Sequence, residues 1–314
     1  MTAFTDPRED NANKFLEFLS THGVHLRNPT ELREKLLQIM QDGPSQFQVV
    51  SDFDRTITPQ WLKDPCSQTG CLKACHSSHG VIEASPFVTP EYAKHTRELA
   101  DHYIPLEHDI RLTNAHKAVI CDEWYHKAHT CMLEEKLSRT MLDKIVEHCW
   151  STMEIHLRLN TNVLFSVCSN SAIPVTVLSA GLADVIERIL AMEDITTPLV
   201  VGNRMTFNAN RDHIGFSEPV IHALNKKHAL TCSLNSDEIR SSRPNALVMG
   251  DLIADVEFVH SIPHLSKYIA IGFLADGPDH EARLTEYLKH FDIVMVGGGA
   301  SMDVAVQLVN CLFA

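Results

Sequence analysis

Two short apolar runs, each stopped by acidic residues, constrain this chain more than any other feature. Phe47-Gln48-Val49-Val50 runs into Ser51-Asp52-Phe53-Asp54, and Leu247-Val248-Met249 runs into Gly250-Asp251. Both read as short strands. Residues 173–178 form a third, which stops at Ser179-Ala180-Gly181, and a helix follows with Val185, Ile186, Ile189 and Leu190 on one side. Residues 268–273 and 293–296 read as two more strands, and 304–312 as a closing helix. Short apolar strands alternating with helices predict an α/β fold built on a parallel sheet. In such a sheet, ligands bind at the carboxyl ends of the strands.

The first half of the chain reads differently. A helix is expected around Phe15 to Leu19. A second is announced by Asn28-Pro29-Thr30, with Leu32, Leu36, Ile39 and Met40 spaced for one buried face. Residues 59–90 are rich in Pro, Ser, Cys and His, which predicts an irregular excursion. Residues 91–156 read as helical, with Trp124, Leu133, Leu137, Met141 and Ile145 as inward positions. At 314 residues the chain is long enough for about two domains.

Charge and composition narrow the function. There are 27 Lys+Arg against 40 Asp+Glu, a formal net charge of −13, which disfavours a generic nucleic-acid binder. The 3 Trp and 13 Phe form no stripe interleaved with basic residues, so no nucleic-acid partner is expected. A phosphorylated small molecule stays open, because one metal ion or one Lys reverses the sign locally. The first ten residues carry no secretory pattern, and no run approaches about 18 apolar residues, so no membrane span is expected. The 9 Cys, an odd number, predict reduced thiols in a cytoplasmic protein. Cys121, Cys131, Cys149, Cys168, Cys232 and Cys311 read as packing residues.

The polar signatures after the strands carry the chemistry. Two carboxylates one residue apart at a strand end divide the labour: Asp52 would attack an electrophile while Asp54 protonates the leaving oxygen. Asp251 and Asp255 would bring further carboxylates into the same pocket, where they repel unless a cation sits among them, and oxygen ligands favour Mg²⁺. Ser179 and its neighbouring N–H groups would cradle phosphate oxygens, with Lys226 adding charge and Gly181 giving the backbone a tight turn.

In this order, Asp52-x-Asp54-x-Thr56, Ser179, Lys226 and Gly250-Asp251-x-x-x-Asp255 resemble the four motifs of the haloacid dehalogenase superfamily of phosphatases. Residues 50–56, 178–185, 221–226 and 271–274, with Asp122-Glu123-Trp124-Tyr125-His126-Lys127-Ala128-His129, are similar to the cytosolic 5′-nucleotidase III (pyrimidine 5′-nucleotidase) family within it. The resemblance implies a Rossmann-like core with an inserted helical cap: core 1–58 and 161–314, cap 59–160. It implies hydrolysis of a nucleoside 5′-monophosphate, a pyrimidine nucleotide such as UMP or CMP or 7-methylguanosine monophosphate, through an aspartyl phosphate. Asp52 would be the nucleophile and Asp54 the acid and base. Mg²⁺ would be held by Asp52, the Asp54 carbonyl and Asp251, with Asp255 supporting Lys226 or the metal. Thr56, Ser179, Ala180 and Lys226 would bind phosphate. Glu107, Tyr125 and Ala128 would read the base. A monomer is expected.

The fourth motif departs from the usual pattern, with Leu252 where a Ser is common and Ala254 where a Gly is. A non-nucleotide sugar phosphate is the rival substrate, and a non-catalytic nucleotide-binding or zinc-dependent interaction protein is the rival class. For zinc, Cys66, Cys71, Cys75, His76 and His79 would be the ligands, although C-x4-C-x3-C-H is not a standard paired spacing. The 19 His otherwise have no assigned role.

Overall fold

A computed structural model describes residues 6–63, 71–109, 111–196, 198–226, 243–257, 259, 262, 264–275 and 277–313. Helix α1 (Pro7–Thr21) buries Ala12, Phe15 and Leu19, and α2 (Pro29–Asp42) buries Leu32, Leu36 and Ile39. Each starts on a side-chain cap, Asp6 or Asn28, followed by a proline that has no N–H to leave unsatisfied. Strand β1 (His25–Leu26) lies between them, and β2 (Phe47–Ser51) follows, buried along its whole length.

Next come the small antiparallel ribbon of β3 (Trp61–Lys63) and β4 (Leu72–Ala74), and the helices α3 (Gly80–Glu83), α4 (Pro90–His108), α5 (Asn114–Glu134) and α6 (Arg139–Ser151). The chain then alternates: α7 (Thr161–Asn170), β5 (Val175–Leu182), α8 (Ala183–Ala191) and β6 (Leu199–Asn203). A hairpin, β7 (Met205–Phe207) and β8 (His213–Phe216), interrupts the pattern. The last elements are β9 (Asn245–Gly250), α9 (Ala254–Glu257), β10 (Lys267–Leu274), α10 (His280–His290), β11 (Ile293–Val296) and α11 (Asp303–Phe313).

The main sheet has the order β1-β11-β10-β9-β2-β5-β6, parallel except for β1 at one edge. Its register decides where the chemistry sits. Val49 pairs with Leu247 on one side and Val175 on the other, and Ser51 pairs with Met249 and Val177. The residues just past these pairs, Asp52, Asp251 and Ser179, therefore emerge together at the carboxyl ends of the inner strands β2, β9 and β5. Alternation fills both faces: Val49, Val177, Leu247 and Ile269 pack with α1, α2 and α11, while Val50, Leu178, Val248 and Ala270 pack with α9 and α10.

Three expectations change. Ser179, Ala180 and Gly181 do not follow β5 but lie inside it, where its pairing with β6 slips between Leu178 and Leu182. Leu133 is exposed, because α5 turns Cys121, His129 and Met132 inward and the next position rotates about 100° away. Trp124 is only half-buried, since it lines a cleft rather than the core. Leu137 and Ile145 are in the core as expected.

Candidate active site

The Asp52 N–H donates to the Met249 carbonyl at 2.9 Å, a last bond of the sheet ladder, and the chain then turns. Ile57 N–H donates back to the Phe53 carbonyl at 2.8 Å. Within the turn, Arg55 has a left-handed backbone (φ 63°). Such a conformation costs a bulky residue energy and persists only when its surroundings fix it. Here they do. Arg55 N–H donates to Thr58 Oγ1 at 2.9 Å, and the buried Arg158 guanidinium donates to the Arg55 and Thr56 carbonyls, both at 2.7 Å.

Asp52 lies in a buried charge network. Lys226 Nζ donates to Asp52 Oδ1 at 2.6 Å and to Asp255 Oδ1 at 2.7 Å. The second Asp255 oxygen accepts from Leu252 N–H at 2.9 Å, so that carboxylate is fully engaged in holding Lys226 and its own loop. Burial alone would push Lys226 down, but Asp255 and Asp52 reverse this and keep the ammonium above its ordinary value. Burial pushes Asp52 up to about 7 against the pull of Lys226. Asp251 is held well above the usual carboxylate range by burial and by Asp52 and Asp255. Donor oxygens of Asp52, Asp251 and Asp255 all lie within 4.8 Å of one another, the one such cluster among the described residues. The Tyr287 hydroxyl donates to the Asp251 carbonyl and fixes that loop from α10.

Asp54 stands beside this network with a different set of partners. Ser78 N–H donates to its Oδ1 and the Ser78 hydroxyl to its Oδ2, both at 2.8 Å. Burial raises Asp54 above the ordinary carboxylate value and the Ser78 bonds oppose it. Ser179 Oγ accepts from Gly181 N–H at 3.0 Å, which leaves its hydroxyl proton to point elsewhere. The Ala180 carbonyl is taken by Asn203 Nδ2 at 2.7 Å. Gly181 is not needed for a tight turn: a Cβ there would stand 1.9 Å from Ser78 Oγ and 3.0 Å from Asp54 Oδ2. Close approach is its reason. Thr56 is fully buried, and its Oγ1 has no hydrogen-bond partner.

Glu107, Tyr125 and Ala128 line one cleft of about 250 Å³, together with Arg55, His79 and Trp124. Trp124 stacks on Tyr103 at 5.9 Å with the rings 8° from parallel and meets Tyr125 edge-on at 5.8 Å. Tyr103 is itself clamped, donating to Glu123 Oε1 at 2.8 Å and accepting from Lys127 Nζ at 2.8 Å. Arg55 also borders a second opening of about 400 Å³ that reaches Asp251 and Arg283.

Sequence reasoning did not single out Ser78, Arg158 or Tyr287. Each works through a contact to a residue at least 24 positions away, and none stands in a pattern of its own. Of the suggested zinc ligands, Cys66 lies outside the described residues, as does Cys232, which the sequence offers only as a packing residue. Burial pushes the Cys75 thiol up to about 11. His76 and His79 join no metal-holding cluster among the described residues. His79 instead belongs to a column of rings, described below.

The geometry joins a strand-end carboxylate cluster, a lysine and an aromatic cleft. The family model for pyrimidine 5′-nucleotidase (UMPH-1) matches residues 67–313. The 7-methylguanosine phosphate-specific 5′-nucleotidase A of Xenopus laevis is 30% identical over 298 residues, covering 94% of this chain and 96% of the relative. The 7-methylguanosine phosphate-specific 5′-nucleotidase of Homo sapiens is 27% identical over 291 residues, 92% of this chain and 91% of that one. The crystal structure of cytosolic 5′-nucleotidase IIIB bound to cytidine superimposes with a TM-score of 0.79 at 28% identity, covering 95% of this chain and 97% of the other. The fold is thus the expected α/β haloacid dehalogenase type. With 247 consecutive positions, 67–313, under one family model, this chain belongs to the pyrimidine 5′-nucleotidase (UMPH-1) family.

Proposed function

We propose that this chain is a Mg²⁺-dependent 5′-nucleotidase that converts nucleoside 5′-monophosphates to nucleoside and phosphate through a phosphoaspartate on Asp52. The observation that carries this reading is the Asp52–Lys226–Asp255 network, held at the carboxyl ends of the inner strands beside a cleft lined by Glu107, Trp124 and Tyr125. Asp52 attacks phosphorus while Asp54 gives its proton to the departing O5′. Water then attacks the phosphoaspartate, returns a proton to Asp54 and releases phosphate. Ser179, the adjacent backbone N–H groups and Lys226 orient the phosphoryl oxygens. Thr56 would help through its turn, since its side chain is enclosed.

The donor set fits Mg²⁺: all oxygen, largely buried, and with three carboxylates against the single Lys226 ammonium. Asp52, Asp251 and the Asp54 carbonyl would hold it, and when bound it supplies charge neutralisation at the phosphoryl group. Asp255 is better suited to anchoring Lys226, because both its oxygens are already engaged.

Residues 59–160 would form the base-selecting cap, and 1–58 with 161–314 the core. Trp124 and Tyr125 offer aromatic faces and Glu107 a carboxylate, a combination that favours a base carrying positive charge. The relatives named for 7-methylguanosine phosphate and the neighbour holding cytidine support the same two substrate classes. A cytoplasmic location is supported by the unbridged Cys75, Cys121, Cys131, Cys149, Cys168 and Cys311. Among the described residues no helix is long and apolar enough to cross a membrane.

The test is a panel of UMP, CMP, 7-methylguanosine monophosphate, GMP and sugar phosphates, with Mg²⁺ and with EDTA, on wild type and Asp52→Asn. The expected result is turnover of 7-methylguanosine monophosphate and the pyrimidine nucleotides, abolished by EDTA and lowered at least ~10³-fold by Asp52→Asn. A sugar phosphate preferred by ~100-fold, about 2.7 kcal/mol, would overturn the substrate class. Phosphate release unaffected by Asp52→Asn would overturn the mechanism.

A further inference from the structure

We propose that Ser78 is a positioning residue for proton transfer: it holds both oxygens of the Asp54 carboxyl and so aims the acid and base at the scissile bond. The inference rests on the reading of Asp54 given above. Ser78 is fully buried, and it comes from the segment between β4 and α3, outside all four motifs. Its N–H reaches Asp54 Oδ1 and its hydroxyl reaches Oδ2, each at 2.8 Å. The Leu182 N–H donates to the same Ser78 Oγ at 3.3 Å. That donor occupies a lone pair of the hydroxyl, so its single proton is committed to Asp54.

Helix capping does not account for the arrangement. The cap residue of α3 is His79, whose side chain makes no cap bond, and the first helical N–H, that of Gly80, goes to Ser77 Oγ at 3.1 Å. Ser78 turns its donors the other way. Three separate segments must meet for this to happen, and Gly181 makes room for them: a Cβ at 181 would fall 1.9 Å from Ser78 Oγ. The terminal torsion of an aspartate is broad, so the backbone at Asp54 does not fix where its oxygens point. Two donors, one on each oxygen, do. The segment carrying Ser78 is seated in turn by Cys75 N–H on the Gln60 carbonyl and His76 N–H on the Glu154 carbonyl, both at 2.9 Å.

Its effect on the chemistry is indirect. When the Asp52 oxygen bonds to phosphorus and the P–O5′ bond breaks, the electron pair stays on O5′ and is taken up by the Asp54 proton. Ser78 touches neither phosphorus nor O5′. It sets the direction from which that proton arrives. A leaving group that departs readily as an anion should hardly notice the loss of Ser78, whereas the alkoxide-like O5′ of a nucleotide should.

The experiment compares kcat/KM for a nucleoside monophosphate and for p-nitrophenyl phosphate in wild type, Ser78→Ala, Asp54→Asn and the double variant. Ser78→Ala is expected to lose ~30–100-fold with the nucleotide and under ~3-fold with the aryl phosphate, the scale of mispositioned acid catalysis. Added to Asp54→Asn, it should cost no more than ~3-fold further, because the group it serves is gone. Equal losses on both substrates, or losses that multiply in the double variant, would overturn the inference and leave Ser78 a packing residue. If Asp54→Asn itself left nucleotide hydrolysis unchanged, the acid and base assignment would fall first. Ser78→Cys, of similar shape with a weak S–H donor, is expected to show the same split and serves if Ser78→Ala does not fold.

Discussion

The site depends on Gly181 and Gly250 for close approach rather than for backbone freedom. At Gly250, the last residue of β9, a Cβ would lie 2.3 Å from the Asp255 Cβ and 2.6 Å from its Oδ2. The Asp255 Cβ is bonded to the main chain and cannot swing aside, unlike the end of a long side chain. Asp255 is also the anchor of Lys226, so a displacement there passes directly to the phosphate-facing charge. Gly250→Ala is therefore expected to destabilise the protein by about 1–3 kcal/mol, the cost of overpacking, and to lower kcat/KM at least ~10-fold by misplacing Lys226. Gly43, which ends α2 with φ 81° and has open space around it, provides the contrast. Gly43→Ala should cost about 1–3 kcal/mol, because φ 81° with ψ 169° is a backbone region essentially reserved for glycine, and leave kcat/KM unchanged. Denaturation midpoints and steady-state rates on both variants check the pair. Activity lost equally in both would mean that stability alone explains the effect.

At the scale of elements, α5 and the β7–β8 hairpin are joined by rings. His129 of α5 stacks on Phe216 of β8 at 3.8 Å, His213 meets the same Phe216 edge-on at 4.7 Å, and His79 lies parallel to His129 at 6.2 Å. Burial holds His79 down to about 4 and His129 down to about 3, and lowers His213 as well. His222 is lowered by burial too, though Asp122 of α5 at 3.3 Å pulls the other way. A histidine whose folded pKa is depressed is neutral when folded but protonated when unfolded, below about 6.5. Its penalty is absent above pH 6.5 and grows as pH falls toward the folded value. Asp52, Asp54 and Asp251, whose pKa values are raised, slope the opposite way and mask it. His129→Phe removes one histidine without touching those carboxylates and keeps the stack on Phe216. Relative to wild type it should be more stable by a few kcal/mol at pH 4.5 and by about 1 kcal/mol or less at pH 7.5, read by urea denaturation. A difference that does not grow on acidification would refute the titration argument. None of this column was legible in the sequence, because histidine carries no periodic signature and its partners come from three distant segments. The motif-bearing strands were legible, since each is a short apolar run closed by polar residues. The two-residue β1, the three-residue β3, β4 and β7 and the four-residue β8 were not, being too short for alternation to register. Asp52, Lys226 and Asp255 were legible as a set in chain order, whereas Ser78 follows no spacing at all.

Across the whole molecule, one side chain closes the fold around the site. Arg158 lies between α6 and α7, where the chain returns from the helical segment to the sheet. Its Nε donates to the Thr56 carbonyl and its Nη2 to the Arg55 carbonyl, while Nη1 donates to Ala300 at 2.7 Å and Gly298 at 3.3 Å. The guanidinium also rests on the Phe273 ring of β10, 4.4 Å from its centroid. Backbone carbonyls and the Phe273 ring hold the charge, and Asp251 adds attraction without a direct bond to it among the described residues. Burial lowers the group to about 10, so it remains a cation at neutral pH. The planar fork matters here: it serves carbonyls from two loops at once, and a lysine ammonium has neither the spread nor the number of donors. Removing it would take their donor from the Arg55, Thr56 and Ala300 carbonyls, while the Gly298 carbonyl keeps the Gln60 N–H. Arg158→Ala is expected to destabilise the protein by about 3–5 kcal/mol, since each unsatisfied buried carbonyl costs about 1–3 kcal/mol before water or relaxation offsets part of it. Arg158→Lys should recover less than about half of that, because one ammonium satisfies one loop and not both. Both variants should also lower kcat, as the turn that carries Asp54 and the strained Arg55 loses its outer support. Urea denaturation and steady-state kinetics with a nucleoside monophosphate test this together. A full rescue of stability by Arg158→Lys would show that the positive charge, and not the fork, joins the two loops.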